Sequence, residues 1–189
     1  MLRMKLIGIA GTNGSGKDTV GHLLAQKHNY LFISASDLLR EECRKRNLPV
    51  ERENLRAISA EWRREGGLGV LVDKALQEYE NHPGQYAGLA VASVRNPGEG
   101  DRVHELGGIL VWVDADSRVR YDRIQAANRG RGEEDTKTFA QFLAEEEAEM
   151  HSSGDAAMLN MSAVQDRCDT VIINEGTETE LASKIKQLL

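Results

Sequence analysis

The residues whose types and spacing most clearly indicate chemistry form one glycine-rich run, Gly11-Thr12-Asn13-Gly14-Ser15-Gly16-Lys17-Asp18-Thr19. An apolar run precedes it and an amphipathic segment follows it, which favours a strand, a tight turn and a helix. Glycines allow successive backbone N–H groups to point inward at phosphate oxygens, and the helix adds the positive end of its dipole. A structural glycine turn is the alternative. The run predicts an ATP site formed by Asn13, Gly14, Ser15, Gly16, Lys17, Asp18 and Thr19, with Lys17 reaching the β- and γ-phosphates.

One position of this loop departs from the usual pattern. Ser or Thr normally follows the lysine and contacts Mg²⁺, whereas this chain has Asp18 there and Thr19 next. A carboxylate is a harder and more charged ligand than a hydroxyl, and it can bind Mg²⁺ directly or through water. We expect Asp18 and Thr19 to hold Mg²⁺ or its waters. The alternative is that Asp18 only favours the helix dipole.

Polar residues that end the second and third apolar runs could bind a phosphoryl acceptor. Asp37 and Arg40 follow the second run, and we expect Asp37 beside the acceptor and Arg40 on its phosphate. A helix cap at Ser36 or Asp37 is the simpler interpretation. Arg95 ends the third run, where packing explains it poorly because a buried arginine needs a partner. Its guanidinium could bind phosphate through two parallel hydrogen bonds.

Further charged and polar residues occur late in the chain. Phosphoryl transfer needs cations that neutralise the transferring oxygens, and Arg129 and Arg131 lie in a glycine-flanked segment that could bring them in when a lid closes. An ordinary solvated loop is the alternative. Asn174 follows the fifth apolar run and either borders the base pocket or forms a plain turn. The acidic residues 145–149 are interpreted as a solvated helix face without chemistry.

The order of elements predicts the fold that must position these residues. Apolar runs predict five strands, at 6–10, 30–33, 89–94, 109–113 and 170–173. Helical periodicity predicts helices at 20–28, 37–45, 54–65, 68–79, 97–106, 118–127, 138–150, 155–166 and 178–188. Alternating helices and strands that are apolar on both faces predict an α/β protein, a three-layer α/β/α fold with a five-stranded parallel sheet.

Two long connections interrupt this alternation within one domain spanning 1–189. Residues 37–80 are long enough for three helices and are interpreted as a helical acceptor-binding arm. Residues 128–166 begin with a polar, glycine-rich stretch and are interpreted as a lid region. In open α/β sheets ligands bind beyond the carboxyl ends of the strands, where such insertions can close over them.

Composition limits the class of protein. The 189 residues are 40% hydrophobic and carry a net charge of −6, which argues against a general nucleic-acid binder because such proteins present basic surfaces. Cys43 and Cys168 lack metal or redox spacing, so we expect free thiols in a reducing compartment. The sequence shows no signal-peptide pattern and no apolar run near ~20 residues. We therefore expect a cytoplasmic protein without membrane contact.

Taken together, these motifs resemble the nucleoside monophosphate kinase-like branch of the P-loop kinases over essentially the whole chain. GTNGSGKDT resembles the P-loop of deoxynucleoside monophosphate kinases, and SASDLLRE the acceptor-side segment of adenylate kinases. VASVRNPGEGDRV resembles the Val-Arg-x-x-x-Glu stretch of deoxynucleotide and archaeal kinases, and CDTVIINEGTETEL the closing segment of dephospho-CoA kinases. The resemblance implies the P-loop NTPase fold, ATP and Mg²⁺ as cofactors, Arg95 on the acceptor phosphate, Arg123 against adenine, and Arg129 and Arg131 in the lid.

The expected function is transfer of the γ-phosphoryl group of ATP to a small phosphorylated acceptor, a nucleoside or deoxynucleoside monophosphate. Lys17 would follow the migrating group, and Arg95 with Arg40 would orient the acceptor. A phosphate acceptor needs no general base because its oxygen is already anionic; a hydroxyl acceptor, as in dephospho-CoA kinases, could use Asp37. A non-catalytic nucleotide sensor is a further alternative. The chain lacks the Asn/Thr-Lys-x-Asp motif of a GTPase switch, and its sequence makes no prediction of oligomeric state.

Overall fold

The computed structural model describes residues 5–127, 137–151 and 154–189. Within them, one sheet has the strand order β2-β3-β1-β4-β5, and every neighbouring pair is parallel. The strands are β1 (Lys5–Gly11), β2 (Tyr30–Ser34), β3 (Gly88–Val94), β4 (Ile109–Asp114) and β5 (Thr170–Ile173). The predicted five-stranded parallel sheet is confirmed. Because β1 lies between β3 and β4, the carboxyl ends of these three strands meet at one edge.

Helices occupy the segments between the strands. They are α1 (Lys17–His28), α2 (Ala35–Lys45), α3 (Arg52–Gly66), α4 (Val70–Glu80), α5 (Pro97–Glu105), α6 (Ser117–Ala127), α7 (Phe139–Met150), α8 (Met161–Gln165) and α9 (Glu178–Lys186). The connection between β2 and β3 contains three helices, as its length predicted. The predicted role of this connection in acceptor binding depends on which of its side chains reach the site.

Helices cover both faces of the sheet. On one face, Ile7 and Ile9 of β1 pack with buried residues of α1 and α9, including Leu24 and Ile185. On the other face, Leu6 of β1 packs with buried residues of α4 and α5. Successive side chains of a strand point to opposite faces, so a strand buried on both faces is apolar throughout. The three-layer α/β/α fold is confirmed.

The predicted helix at 155–166 is wrong in its first half, because the helix begins only at Met161. Asp155 starts a turn in which its Oδ1 accepts a hydrogen bond from the backbone N–H of Ala157 at 2.9 Å. The side chain of Asn160 then caps α8, accepting from a backbone N–H of its first turn at 3.1 Å. Asp and Asn favour such local bonds over a continuous helix.

Two expectations from composition concern the described residues. Cys43 and Cys168 are free cysteines, as predicted. Burial, with a smaller contribution from the neighbouring Asp169 carboxylate, raises the pKa of the Cys168 thiol to about 12, so this thiol is a poor nucleophile. No helix within the described ranges is long and apolar enough to cross a membrane.

Candidate functional site

The turn between β1 and α1 adopts backbone conformations that favour glycine. Gly14 and Gly16 have φ angles of 79° and 90°. A Cβ atom on Gly16 would lie 2.3 Å from the side-chain nitrogen of Asn174, far inside contact distance. Gly16 is also the N-cap of α1, and no side chain caps this helix. Backbone N–H groups at the amino end of a helix point out of that end and can bind an anion. This is the strand, turn and helix that the sequence predicts for the P-loop, residues 11–19.

Lys17 is the first residue of α1 and lies at the base of a cavity in front of the P-loop. The residue is only 7% exposed, and its Nζ donates to the backbone oxygen of Thr12 across 3.4 Å. We call this space the phosphate cavity. It is lined by Asn13, Gly14, Gly16, Lys17, Asp18, Thr19, Ser36, Arg40, Ser93 and Arg95. The cavity therefore brings together the P-loop and the predicted acceptor arginines Arg40 and Arg95.

A second, larger cavity opens between the three-helix arm and α7, and we call it the arm cavity. Its empty volume is about 670 Å³, a figure that includes space open to solvent. Its walls combine apolar side chains of α2, α3 and α4 with five arginines. The lining residues are Asn13, Ala35, Ser36, Leu39, Arg40, Arg52, Leu55, Arg56, Ser59, Arg63, Leu71, Ser93, Arg95, Glu149 and Leu159. Five residues line both cavities: Asn13, Ser36, Arg40, Ser93 and Arg95.

The end of β3 is irregular where the two cavities meet. The pairing of β1 with β3 shifts by one residue after Ile9, so that Ser93 is left without a partner in the β1 ladder. Ser93 is buried and has a φ of 65°, an uncommon conformation for a residue with a side chain. Residues held this way cluster at functional sites. The bulge precedes Arg95, whose side chain lines both cavities.

Glu149 lies among three arginines of the arm cavity. Its carboxylate oxygens are 2.8 Å from Arg56, 3.1 Å from Arg52 and 3.1 Å from Arg95. Burial by itself would raise the pKa of the Glu149 carboxyl group. The charges of Arg95 and Arg52 and the hydrogen bond from Arg56 outweigh that effect and bring the pKa to about 2. Glu149 is therefore an ionised, buried carboxylate beside the predicted acceptor ligand Arg95.

The interpretation of 145–149 as a solvated helix face is wrong for most of its acidic residues. Glu149 is only 8% exposed. Glu146 forms a forked pair with the buried Arg120, and Glu145 accepts from Lys137 at 2.7 Å. Arg120 lies on another helix, α6, so the sequence next to the acidic run does not reveal it. Only Glu147 is a well-exposed member of this run, paired with the exposed His151.

A buried ion pair supports the wall of the arm cavity. Arg63 of α3 donates to Oε1 of Glu99 at 2.7 and 3.0 Å, and both residues are buried. The other oxygen of Glu99 accepts from the backbone N–H groups of Arg95 and Asn96, at 2.8 and 3.1 Å. Glu99 thus connects the arm to the end of β3. The sequence signal that could have predicted a structural role for Glu99 is its spacing from Asn96, which is that of a capping box.

Two predicted acceptor residues, Arg40 and Asp37, differ in solvent exposure and in whether they line the cavities. Arg40 lines both cavities, and its Nη1 donates to Oδ1 of Asp37 at 2.6 Å. The side chain of Asp37 is 70% exposed and is not among the lining residues of either cavity. The predicted cap at Ser36 or Asp37 is wrong, because Ser34 is the N-cap of α2. Ser36 instead lies in the first turn and lines both cavities.

The remaining predicted ligands have different surroundings. Asn174 is buried, and its side-chain amide donates to the backbone oxygen of Ser15 at 2.9 Å, so it supports the P-loop. Arg123 is half-buried on α6, and its Nη1 has no hydrogen-bond partner within the described chain. Arg129 and Arg131 lie outside the described residues. Their predicted lid role, and the adenine contact of Arg123, stay predictions.

The surroundings of Asp18 fit a cation held together with a nucleotide. Its Oδ1 is buried and has no hydrogen-bond partner in the described structure, although Asp18 lines the phosphate cavity. Among the described residues, no cluster of three or more His, Cys, Asp or Glu could hold a metal ion. Mg²⁺ commonly binds through one or two protein groups plus substrate phosphates and water. Asp18 could supply one such oxygen, with the exposed Thr19 beside it.

Comparison with known proteins agrees with this P-loop architecture. The profile of a family described as AAA domain matches residues 7–152. The chain belongs to this AAA domain family. Among similar proteins, the UPF0200 protein of Pyrococcus horikoshii is 26% identical over 193 residues, covering 97% of this chain and 95% of that protein. The UPF0200/UPF0201 protein of Archaeoglobus fulgidus is 23% identical over 192 residues; this chain, covered in full, spans 56% of that longer protein.

Solved structures show the same fold. The shikimate kinase of Bacteroides thetaiotaomicron has a TM-score of 0.62 at 14% identity, covering 98% of each chain. The shikimate kinase of Acinetobacter baumannii in complex with shikimate gives 0.57 at 20% identity, covering 98% of this chain and 92% of that one. The gluconokinase of Sinorhizobium meliloti gives 0.53 at 15% identity, covering 97% and 90%. This member of the AAA domain family therefore has the fold of P-loop kinases.

Proposed function

We propose that the protein is an ATP-dependent kinase that transfers the γ-phosphoryl group to a nucleoside or deoxynucleoside monophosphate. The proposal includes a single catalytic domain over 1–189, with residues 37–80 as the acceptor-binding arm and 128–166 as the lid region. The observation that carries it is the shared wall of the phosphate and arm cavities. A nucleotide in one cavity and an acceptor in the other would meet at Arg95 without either leaving its site.

The donor side rests on the P-loop. Its N–H groups and the amino end of α1 would bind the phosphates of ATP, and Lys17 would neutralise charge that develops on the transferring oxygens. Mg²⁺, when bound, would shield the β- and γ-phosphates from each other. Asp18 and Thr19 would hold the ion or its waters, which gives the buried Oδ1 of Asp18 a partner.

The acceptor side favours a phosphate over a hydroxyl group as the attacking nucleophile. A hydroxyl acceptor needs a base within hydrogen-bond reach, and the carboxylate predicted for that role, Asp37, is exposed and paired with Arg40. A phosphate oxygen is already anionic and needs orientation and charge neutralisation only. Arg40 and Arg95 would supply both, since guanidinium groups bind phosphate oxygens in a fork.

The lining of the arm cavity suits the remainder of a nucleotide. Its apolar members, among them Leu39, Leu55, Leu71 and Leu159, could pack against a base or sugar while Ser36 offers a hydroxyl group. The structural neighbours named above bind or are named for shikimate and gluconate. Those acceptors, together with dephospho-CoA, define the alternative in which the γ-phosphoryl group is transferred to a hydroxyl.

Formation of ADP from ATP and Mg²⁺ in the presence of an acceptor panel tests the proposal. The panel contains ribo- and deoxyribonucleoside monophosphates, dephospho-CoA, shikimate and gluconate. We expect a monophosphate to stimulate ADP formation, with a nucleoside diphosphate as the second product. Stimulation by a hydroxyl acceptor alone would reject the acceptor class. Binding of an ATP analogue without turnover on any acceptor would instead support a nucleotide sensor. The Lys17→Ala variant controls for contaminating kinases.

A further inference from the structure

The arm cavity contains an anion of its own at the place where an acceptor phosphate is expected. Glu149 contacts Arg95 and Arg56, and neither arginine has another carboxylate partner within the described part of the chain. Arg95 also faces the phosphate cavity. The arginine best placed to receive an acceptor phosphate is thus already bound to a carboxylate from α7.

A phosphate monoester and this carboxylate would compete for the same donors. A phosphate on Arg95 would lie within a few ångströms of the Glu149 carboxylate, and like charges at that distance repel strongly in a partly buried site. Glu149 lies among Arg52, Arg56 and Arg95, whose charges favour its ionised form. Departure of the carboxylate from Arg95 relieves the repulsion.

We propose that Glu149 holds the place of the acceptor's anionic group, so that the acceptor binds by displacing this carboxylate from Arg95 and Arg56. This inference rests on the proposed function and names the chemistry that its acceptor site selects. Glu149 offers one negative charge and two oxygens. A phosphate monoester offers a charge of about −1.5 to −2 and three oxygens. It therefore gains more from the arginines than Glu149 loses.

Because an acceptor must displace Glu149, the site excludes anions that interact with the arginines no more strongly than Glu149 does. A simple carboxylate brings the same charge and the same two oxygens as Glu149, so exchanging one for the other yields no electrostatic gain. Glu149 is in addition attached to the site by its own helix, so its effective concentration near the arginines is high. A free carboxylate must compete against that effective concentration. The site consequently selects phosphate-bearing acceptors over acceptors whose only anionic group is a carboxylate.

Titration calorimetry with inorganic phosphate and with acetate at pH 8 tests this exchange. The P-loop is first saturated with Mg²⁺ and a non-hydrolysable ATP analogue, so that phosphate reports on the arm cavity. In the Glu149→Gln variant the amide keeps the shape and loses the charge. We expect the dissociation constant for phosphate to fall about tenfold relative to the parent protein, the lower end for one charge-assisted hydrogen bond. In the parent protein we expect phosphate to bind about tenfold more tightly than acetate.

A matched variant on the same helix controls for net charge. Glu147→Gln removes the same charge from α7, but Glu147 is exposed and pairs with His151, so phosphate affinity should be unchanged. The conservative variant Glu149→Asp shortens the side chain, weakens its contacts and should give an intermediate gain, which keeps the test available if Glu149→Gln is poorly folded in thermal unfolding.

Unchanged or weaker phosphate binding by both Glu149 variants would overturn the exchange and make Glu149 a residue that positions the arginines. Equal affinity of the parent protein for phosphate and acetate would overturn the selectivity. Neither readout involves turnover. The proposed function fails if no monophosphate stimulates ADP formation. That result comes from a different measurement and is therefore distinguishable from failure of the exchange.

Discussion

The side-chain amide of Asn174, just beyond β5, donates a hydrogen bond to the backbone oxygen of Ser15 across 2.9 Å. The two residues are 159 positions apart, and both are buried. The same amide nitrogen occupies the space that a Cβ on Gly16 would need. The end of β5 therefore supports the phosphate-binding turn, and this support joins segments that are far apart in the sequence.

Replacing Asn174 by alanine should lower both stability and nucleotide affinity. The backbone oxygen of Ser15 would lose its partner in a buried place, which costs about 1–3 kcal/mol of unfolding free energy. The P-loop would also lose a support for its turn, so the KM for ATP should rise. Urea unfolding and nucleotide titration measure the two effects. Asn81→Ala, which removes an exposed amide bonded only to Glu78 in the described structure, serves as the control. Unchanged ATP affinity in Asn174→Ala would contradict this role.

Lys17→Ala should abolish phosphoryl transfer and leave the fold intact. Its ammonium group serves charge that develops in the transition state, whereas the neighbouring P-loop backbone depends on glycine conformations and on Asn174. We therefore expect this variant to lose activity while its melting temperature stays unchanged. Retention of more than about a tenth of kcat, a loss below ~1.4 kcal/mol of transition-state stabilisation, would refute the assigned role.

The architecture and the P-loop could be predicted from the sequence because both depend on local patterns. Strands such as β3 are apolar throughout, which indicates burial on both faces, and the glycine spacing of the P-loop fixes its turn. The start of α8 was not predictable from periodicity, since turns at Asp155 and Asn160 compete with the helix. Local pattern therefore predicts elements well and their ends less well.

The charged lining of the arm cavity was predicted only in part because its contacts join distant segments. Arg95 was singled out from its place at a strand end, and the structure places it in the lining of both cavities. Its partner Glu149 lies 54 residues later, in an acidic run that by itself resembles a solvated helix face. Arg63 and Glu99 are 36 residues apart and form a buried pair that joins α3 to α5. Such pairs follow from tertiary structure, and charge patterning within one helix does not contain them.

Arg95→Ala should weaken acceptor binding far more than ATP binding. A guanidinium–phosphate fork in a closed site contributes about 1.5–3 kcal/mol, so the KM for the acceptor should rise about tenfold or more. Removing Arg95 also leaves the Glu149 carboxylate with one cation fewer, which adds repulsion toward an incoming phosphate. The double variant Arg95→Ala/Glu149→Gln should therefore recover part of the loss. Reduced ATP affinity with unchanged acceptor KM would place Arg95 on the donor side.

The last prediction concerns Asp18, the position at which the P-loop departs from its usual pattern. If its carboxylate takes part in magnesium binding, Asp18→Asn should raise the Mg²⁺ concentration needed for half-maximal activity. ATP affinity measured without metal should be little changed or improved. A neutral amide is a weaker ligand for a hard cation, yet it no longer repels the nearby phosphates. The buried Oδ1 of Asp18, which has no partner within the described chain, gives this account its structural basis.

A second variant separates this account from a role in helix stability. Asp18→Ser restores the usual hydroxyl ligand and should need less additional Mg²⁺ than Asp18→Asn, with Ser93 or water completing the coordination. If Asp18 only favours the dipole of α1, both substitutions should change the melting temperature slightly and leave metal dependence alone. Magnesium titrations of both variants beside the parent protein, with thermal unfolding of each, decide between the two roles. An unshifted titration curve for Asp18→Asn excludes Asp18 from metal binding.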